Sequence, residues 1–186
     1  MKDAAGNPLA TSFAWSFTTA SSGTACPCTI WNSATTPANI TGDAQAVELG
    51  VKFRADVNGV VNGVRFYKGS TNTGTHVAHL WSATGTLLAT ATFTNETASG
   101  WQQVMFATPV AITANTTYVV SYHTDAGNYA LNGGYFVGGG VDSPPLHALG
   151  NGVDGANAVF VYGASAFPRQ TSNGNNYWVD VVFTPQ

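Results

Sequence analysis

Charged residues are scarce in this sequence. They make up only 8% of the 186 residues, against roughly 25% in an average soluble domain, whereas hydrophobic residues make up 44%. Intrinsic disorder needs low hydrophobicity and high charge, so the chain is predicted to fold. Only six residues are Lys or Arg, and they are too scattered to form a basic patch. Neither nucleic acid nor membrane is therefore an expected partner.

Cysteine is almost absent as well. The two cysteines, Cys26 and Cys28, are separated only by Pro27. A disulfide across a single residue is strained, and a metal site would need two further soft ligands. A local disulfide and a pair of free thiols remain the two alternatives. The sequence also has no apolar run long enough to span a bilayer.

Motifs of catalysis are missing too. The chain has no Gly-x-Ser-x-Gly elbow, no His-Glu-x-x-His and no phosphate-binding glycine loop. Glycosidases need two facing carboxylates, but Glu48 and Glu96 are the only two glutamates and stand at ordinary strand or turn positions. Ser, His and Asp all occur, which means little in a Ser-rich chain. We therefore expect a domain that is not an enzyme.

What the sequence does have is a regular alternation of apolar and polar residues, the pattern of half-buried β-strands. It is clearest in Val47-Leu49-Val51-Phe53, Leu87-Ala89-Ala91-Phe93 and Val179-Val181-Phe183. Turn signals such as Asn58-Gly59 and Asn62-Gly63 separate the segments. These features predict an all-β fold, an antiparallel β-sandwich of jelly-roll type. Abundant Gly, Thr, Ser and Asn are typical of secreted bacterial β modules, so we expect a secreted or cell-surface location.

Two composition changes predict the domain organisation. Residues 21–28 indicate a linker between the short segment 1–20 and a β-sandwich module over residues 29–186. Residues 132–157 are rich in Gly, Asn and Asp and predict an irregular loop without strands. A loop of this length inside a domain is usually functional or poorly ordered.

Two resemblances fit this division. Asp3-Ala4-Ala5-Gly6-Asn7-Pro8-Leu9-Ala10, followed by Trp15-Ser16-Phe17-Thr18-Thr19, resembles the closing hairpin of a bacterial Ig-like domain of the S-layer type. From about residue 26 to the end, the chain resembles a bacterial family known as domain of unknown function 4082. Its matching stretches include Gly63-Val64-Arg65-Phe66-Tyr67-Lys68-Gly69, Gly74-Thr75-His76-Val77-Ala78-His79-Leu80-Trp81 and Tyr177-Trp178-Val179-Asp180-Val181-Val182-Phe183. The resemblance implies an accessory module of large secreted proteins, beside Ig-like domains, with no established activity.

Aromatic residues beside polar ones suggest ligand binding, because sugar rings stack their apolar faces on Trp and Tyr. Alternation from Thr75 to Trp81 places His79 and Trp81 on one face and Ala78 and Leu80 on the other. If Leu80 faces the core, His79 and Trp81 lie on an outer face, and the opposite phase would bury Trp81. We predict a sugar-binding surface formed by Trp81, His79 and His123. Tyr129 and Tyr135 flank the Gly-rich region, and we expect these two ligand-binding candidates at the rim of a pocket built from loops.

Calcium is the metal that the sequence favours most. Glu48 on the first module strand and Asp180 on the last match, by fold-level analogy, jelly-roll modules in which acids of these strands share a structural calcium. The alternative is that both are exposed carboxylates on a solvated sheet. A transition-metal site from His79, His123 and His147 would need distant segments to meet.

Two functions remain open at this point. The first is a non-catalytic carbohydrate-binding accessory module that holds a parent protein on polysaccharide or cell-wall glycan. The second is a structural spacer or adhesion module, stacked against neighbouring Ig-like domains, with no small-molecule ligand. An exposed Trp beside polar side chains favours the first, and burial of every Trp favours the second.

Overall fold

Antiparallel strands form the fold. The computed structural model describes residues 26–186, so the predicted hairpin at 1–20 and most of the predicted linker lie outside the described residues. No described residue belongs to a helix that is long and apolar enough to cross a membrane. The strands are β1 (Asn39–Ile40), β2 (Val47–Ala55), β3 (Gly59–Lys68), β4 (His76–Ser82), β5 (Leu87–Thr92), β6 (Gly100–Ile112), β7 (Tyr118–Thr124), β8 (Ala130–Leu131), β9 (Val141–Ser143), β10 (Leu146–Ala148), β11 (Val159–Tyr162), β12 (Gln170–Thr171) and β13 (Val179–Pro185).

These strands build two main sheets. The larger has the order β12-β11-β2-β7-β4-β5, and β10 adds to it by pairing with both β2 and β9. The smaller has the order β13-β3-β6, and β1 pairs separately with β8. Every pairing is antiparallel. The all-β sandwich predicted from the alternating pattern is confirmed.

The core lies between the two sheets and contains the apolar set of each alternating strand. Phe66 of the smaller sheet stacks on Tyr122 of the larger one, with ring centroids 4.3 Å apart. Leu49, Phe53 and Leu80 are buried in the same cluster. Burying these side chains contributes roughly 1.5–3 kcal/mol each, which makes this layer the main source of stability.

The outer face of the smaller sheet is covered as well. Arg65 and Asp180 alternate with core residues and point away from the core, yet both are buried. The chain from Thr29 onward lies over them, because the backbone amide of Ile30 donates to Asp180 and the backbone oxygen of Trp31 accepts from Arg65. The preceding Cys26 and Cys28 form a disulfide, so they are not a pair of free thiols.

Two local predictions are wrong. Asn62-Gly63 is not a turn but lies inside β3, at a bulge in its pairing with β6. Glycine is needed there because a Cβ on Gly63 would clash with the backbone of Val104, and a glycine at such a bulge admits a close backbone approach. The region 132–157 is not free of strands, since β9 and β10 form a short hairpin within it that attaches to β2.

Candidate functional site

A cluster of polar side chains lies on the face of the larger sheet that points away from the core. Glu48 is opposite His123 across β2 and β7, and Ser121 is opposite His79 across β7 and β4. Side chains two residues apart on a strand share a face, so neighbouring strands bring these four together. The structure thus unites His79 and His123, which the sequence predicted to act together.

The centre of this cluster is the carboxylate of Glu48, which is fully buried. Its Oε1 accepts hydrogen bonds from His79 Nδ1 at 2.9 Å and from Ser121 Oγ at 2.5 Å. Its Oε2 accepts from Ser165 Oγ at 2.8 Å. A buried carboxylate without partners would be strongly unfavourable, and these three donors offset its loss of water.

Trp81 lies beside this cluster, but its ring is not exposed for a sugar to stack on. It is on the face opposite Leu80, as the alternation predicts, and its ring centroid is 5.2 Å from that of His79. However, it is only 7% exposed, because Phe167 packs against it with ring centroids 5.6 Å apart. The expected exposure of Trp81 is therefore wrong. Strand alternation identifies the face of a residue but does not show that a distant loop folds over it.

Tyr129 and Tyr135 lie elsewhere and do not join Trp81. The hydroxyl of Tyr129 donates to Asp43 Oδ2 at 3.3 Å, and burial raises the pKa of this phenol above its usual range. The hydroxyl of Tyr135 accepts a hydrogen bond from Trp31 Nε1 at 3.2 Å. Both hydroxyls hold the fold together, and the two residues do not form one pocket with His79 and His123.

Asp180 is the second predicted calcium ligand, and the structure does not bring it to Glu48. It belongs to the smaller sheet and pairs with Arg65 Nε at 3.0 Å. Burial raises the pKa of its carboxyl, while Arg65 and three backbone amides oppose that rise. No three or more His, Cys, Asp or Glu side chains within residues 26–186 are placed to hold a metal ion. Calcium binding stays a prediction.

An open cleft lies where β10 attaches to the end of β2, and sequence reasoning did not find it. Its volume is about 310 Å³. Arg54 is opposite His147 and His147 is opposite Asp142, so the three form one row across β2, β10 and β9. The cleft is lined by Arg54, Asp56, Asn115, Gly140, Asp142, His147, Ala148, Leu149, Gly150 and Val153.

His147 is the centre of charge in this cleft. Its Nδ1 lies 2.8 Å from Asp142 Oδ1 and its Nε2 lies 2.9 Å from Asp56 Oδ1. Partial burial lowers the pKa of His147, but the two carboxylates outweigh burial, so the pKa is raised overall. Arg54, next to His147 in the same row, pairs with Asp154 at 3.3 Å.

The raised pKa of His147 predicts a pH dependence of stability. Protonated His147 is stabilised by Asp56 and Asp142 in the folded state, so this contribution is fully present below its ordinary value of 6.5. It is lost as the pH rises through the folded-state pKa. We expect wild type to lose more stability than His147→Gln between about pH 6 and about pH 9 in urea unfolding.

The comparison of the two proteins isolates His147. Burial lowers the pKa of His76, so that histidine destabilises the fold in acid, but it does so equally in wild type and variant. Parallel pH profiles of the two proteins would show that the Asp56 and Asp142 contacts do not stabilise the imidazolium in solution.

Four residues of the polar cluster and the cleft were missed, for different reasons. Ser121 could have been predicted from the sequence, because it is two residues from His123 and shares its face of the strand. Ser165 lies in an irregular loop and carries no sequence signal. Asp142 and Asp56 meet only because His147 lies between them, which depends on how β10 docks on β2.

Comparison with protein-family models identifies the family of this chain. A family model described as "Domain of unknown function (DUF4082)" matches residues 34–179, which is most of the chain. The chain belongs to this family, and the resemblance noted in its sequence is confirmed over those residues. No curated protein matches the chain.

Proposed function

We propose that this member of the DUF4082 family is a carbohydrate-binding accessory module of a larger secreted or cell-surface protein. We further propose that a glycan binds in the cleft between β2, β9 and β10. The observation that carries the proposal is the lining of this cleft. It combines the donors of Arg54 with the acceptors of Asp56 and Asp142 around an open space of about 310 Å³.

Sugar hydroxyls donate and accept hydrogen bonds at once, so a sugar site needs both kinds of partner at fixed positions. The carboxylates of Asp56 and Asp142 accept, Arg54 donates, and Asn115 does both. Val153 is exposed at the cleft and offers an apolar contact for the C–H face of a ring. The volume is near the lower end of the usual range for small-ligand pockets, about 300–1,000 Å³, which suits a short glycan segment.

The expected affinity is modest. The cleft is open and no described Phe, Tyr or Trp ring lines it, so a bound sugar keeps much of its hydration. A dissociation constant of about micromolar to millimolar is expected, which corresponds to roughly −8 to −4 kcal/mol. Useful attachment to polysaccharide would then come from several modules acting together.

The test is a glycan array on the module, followed by titration of the best ligand against variants. Asp142→Asn should weaken binding about tenfold or more, because hydrogen bonds to a charged group contribute about 1.5–3 kcal/mol. Asp125→Asn is the matched control, since Asp125 is an exposed aspartate that pairs with His123 outside the cleft. Equal binding by both variants would contradict the cleft as the site.

A structural spacer between Ig-like domains is the second candidate function. The observation in its favour is that Trp31, Trp81 and Trp178 are all buried, which leaves only Trp101 partly exposed among the tryptophans of residues 26–186. An array on which the folded wild-type module retains no glycan, with or without added calcium, would favour the spacer.

A further inference from the structure

Ser165, His79 and Glu48 stand in an order that is familiar from enzymes. Ser165 Oγ lies 3.5 Å from His79 Nε2, and His79 Nδ1 lies 2.9 Å from Glu48 Oε1. A nucleophile, a base and an acid that orients the base form this chain in serine hydrolases of unrelated folds, which are recognised by geometry and not by sequence position. We propose that these residues form an acyl-transfer centre that takes carboxylic esters. This inference goes beyond glycan binding and does not depend on it.

The burial of the three residues suits these roles. Glu48 is fully buried and His79 is 6% exposed, whereas Ser165 lies on an exposed part of the loop after β11. The nucleophile is therefore open to substrate while the acid is shielded from water. An ionised carboxylate only accepts hydrogen bonds, so the proton of neutral His79 lies on Nδ1 and its Nε2 is the base that faces Ser165.

Ser165 is held in a resting position. Its hydroxyl donates to Glu48 Oε2 at 2.8 Å, while His79 Nε2 is the second acceptor within 3.5 Å. Rotation about the Ser165 side chain exchanges one acceptor for the other. Hydrogen bonds between nucleophile and base are often loose before substrate binds, so 3.5 Å is compatible with the role.

His123 supplies an independent observation. Its Nδ1 lies 3.6 Å from Glu48 Oε2 and is a buried nitrogen without a hydrogen-bond partner. Such groups are rare in folded proteins and call for an explanation. His123 Nε2 lies 3.1 Å from Asp125 Oδ1, which only accepts, so Nδ1 also carries a proton only in the imidazolium form of His123. When Ser165 turns to His79, Glu48 Oε2 loses a donor, and Nδ1 of that imidazolium is placed to replace it. His123 is thus a positioning residue that stabilises the active arrangement.

The reaction proceeds in two steps, acylation of Ser165 and hydrolysis of the acyl group. Ser165 Oγ forms a bond to the carbonyl carbon of the ester and passes its proton to His79 Nε2. The carbon–oxygen bond to the alcohol breaks, and the alcohol leaves with the proton from His79. Water then attacks the acyl group on Ser165 and gives a proton to His79, which returns it to Ser165 Oγ as the acid leaves. The products are one carboxylic acid and one alcohol.

The test uses a fluorophosphonate probe, with 4-nitrophenyl acetate as substrate. We expect mass spectrometry to find the probe on Ser165 of wild type. Ser165→Ala should lose this label, and its rate should fall about a hundredfold or more, because it removes the nucleophile of the centre. Ser165 is exposed, so the variant is expected to fold. Ser70→Ala, which removes another exposed serine, should keep both the label and the rate.

His79 and His123 separate the assigned roles. His79→Gln, if its melt shows that it is folded, should also lose the label. His123→Asn should lower the rate through kcat with KM unchanged, because His123 does not touch the substrate. The inference is overturned if wild type carries no probe on Ser165, or if wild type and Ser165→Ala hydrolyse the ester equally fast. Glycan binding in the cleft would be unaffected by either result.

Discussion

Asp180→Ala is expected to destabilise the domain by about 3–5 kcal/mol, the usual effect of breaking a buried ion pair by removing one partner. Asp180 is fully buried and Arg65 is nearly so, so the variant leaves a guanidinium without its counter-charge. Arg65 cannot relieve this by reaching water, because its guanidinium lies 4.2 Å from the centre of the Trp101 ring. The measurement is urea unfolding of wild type and variant.

The effect extends to the chain that covers the smaller sheet. Asp180 accepts from the backbone amides of Ile30 at 2.9 Å and Trp31 at 3.2 Å, and from its neighbour Val181 at 2.7 Å. Loss of the carboxylate leaves these donors unpaired as well, and each unsatisfied buried group costs about 1–3 kcal/mol. We therefore expect the segment around Trp31 to exchange its amide protons faster in the variant.

Asp154→Ala is the matched control. It also removes an aspartate that pairs with an arginine, but Asp154 and its partner Arg54 are both partly exposed. Exposed ion pairs contribute only about 0–1 kcal/mol, because water replaces the missing partner. Similar losses in both variants would show that the Arg65–Asp180 pair is not buried in solution.

Trp81→Ala is expected to destabilise the domain by about 3 kcal/mol or more, the range for truncation of a core aromatic residue. Trp81 packs with Val119, Val159 and Phe167 in a second, smaller apolar cluster. Its Nε1 donates to Ser121 Oγ at 2.8 Å, and Ser121 in turn donates to Glu48. The variant therefore also removes the hydrogen bond that Ser121 accepts. The measurement is again equilibrium unfolding.

Trp81→Phe separates the two contributions. It keeps most of the apolar contact with Phe167 and removes the hydrogen bond to Ser121, which is expected to cost about 1 kcal/mol. A Trp81→Ala variant that melts like wild type would mean that the Phe167 loop does not cover Trp81 in solution. The exposed sugar-stacking face expected from the sequence would then regain support.

The sequence predicted correctly which face of its strand a residue occupies, but it did not predict which chain segments cover that face. Alternation separated Ala78 and Leu80 from His79 and Trp81, and the structure places the first pair in the main core. It could not show that both outer faces are covered, since the covering chain is irregular and distant in sequence. The alternative that Glu48 and Asp180 are exposed carboxylates on a solvated sheet is therefore wrong, since both are fully buried.

The candidate sites show the same limit. Ser165 occurs in Gly163-Ala164-Ser165-Ala166, which has no periodicity and no known motif. It reaches Glu48 only because the loop after β11 folds back over the larger sheet. The cleft arises likewise from a hairpin within a glycine-rich stretch that predicts no strand. The local pattern of apolar and polar residues predicts the strands, whereas these sites depend on how loops pack against the sheets.

The pairing of Cys28 with Phe183 joins the first described residues to the last strand. Cys28 N donates to Phe183 O at 2.7 Å, and Phe183 N donates to Cys28 O at 2.9 Å. Because the two segments are antiparallel, the chain before Cys28 and the chain after Phe183 lie at the same end of this pair. A load applied across residues 26 and 186 would separate such hydrogen bonds one at a time, as in unzipping, instead of shearing many together. In a longer chain, the two connections of the domain would also lie close together at one end of it. The domain would then add little to the end-to-end length of that chain.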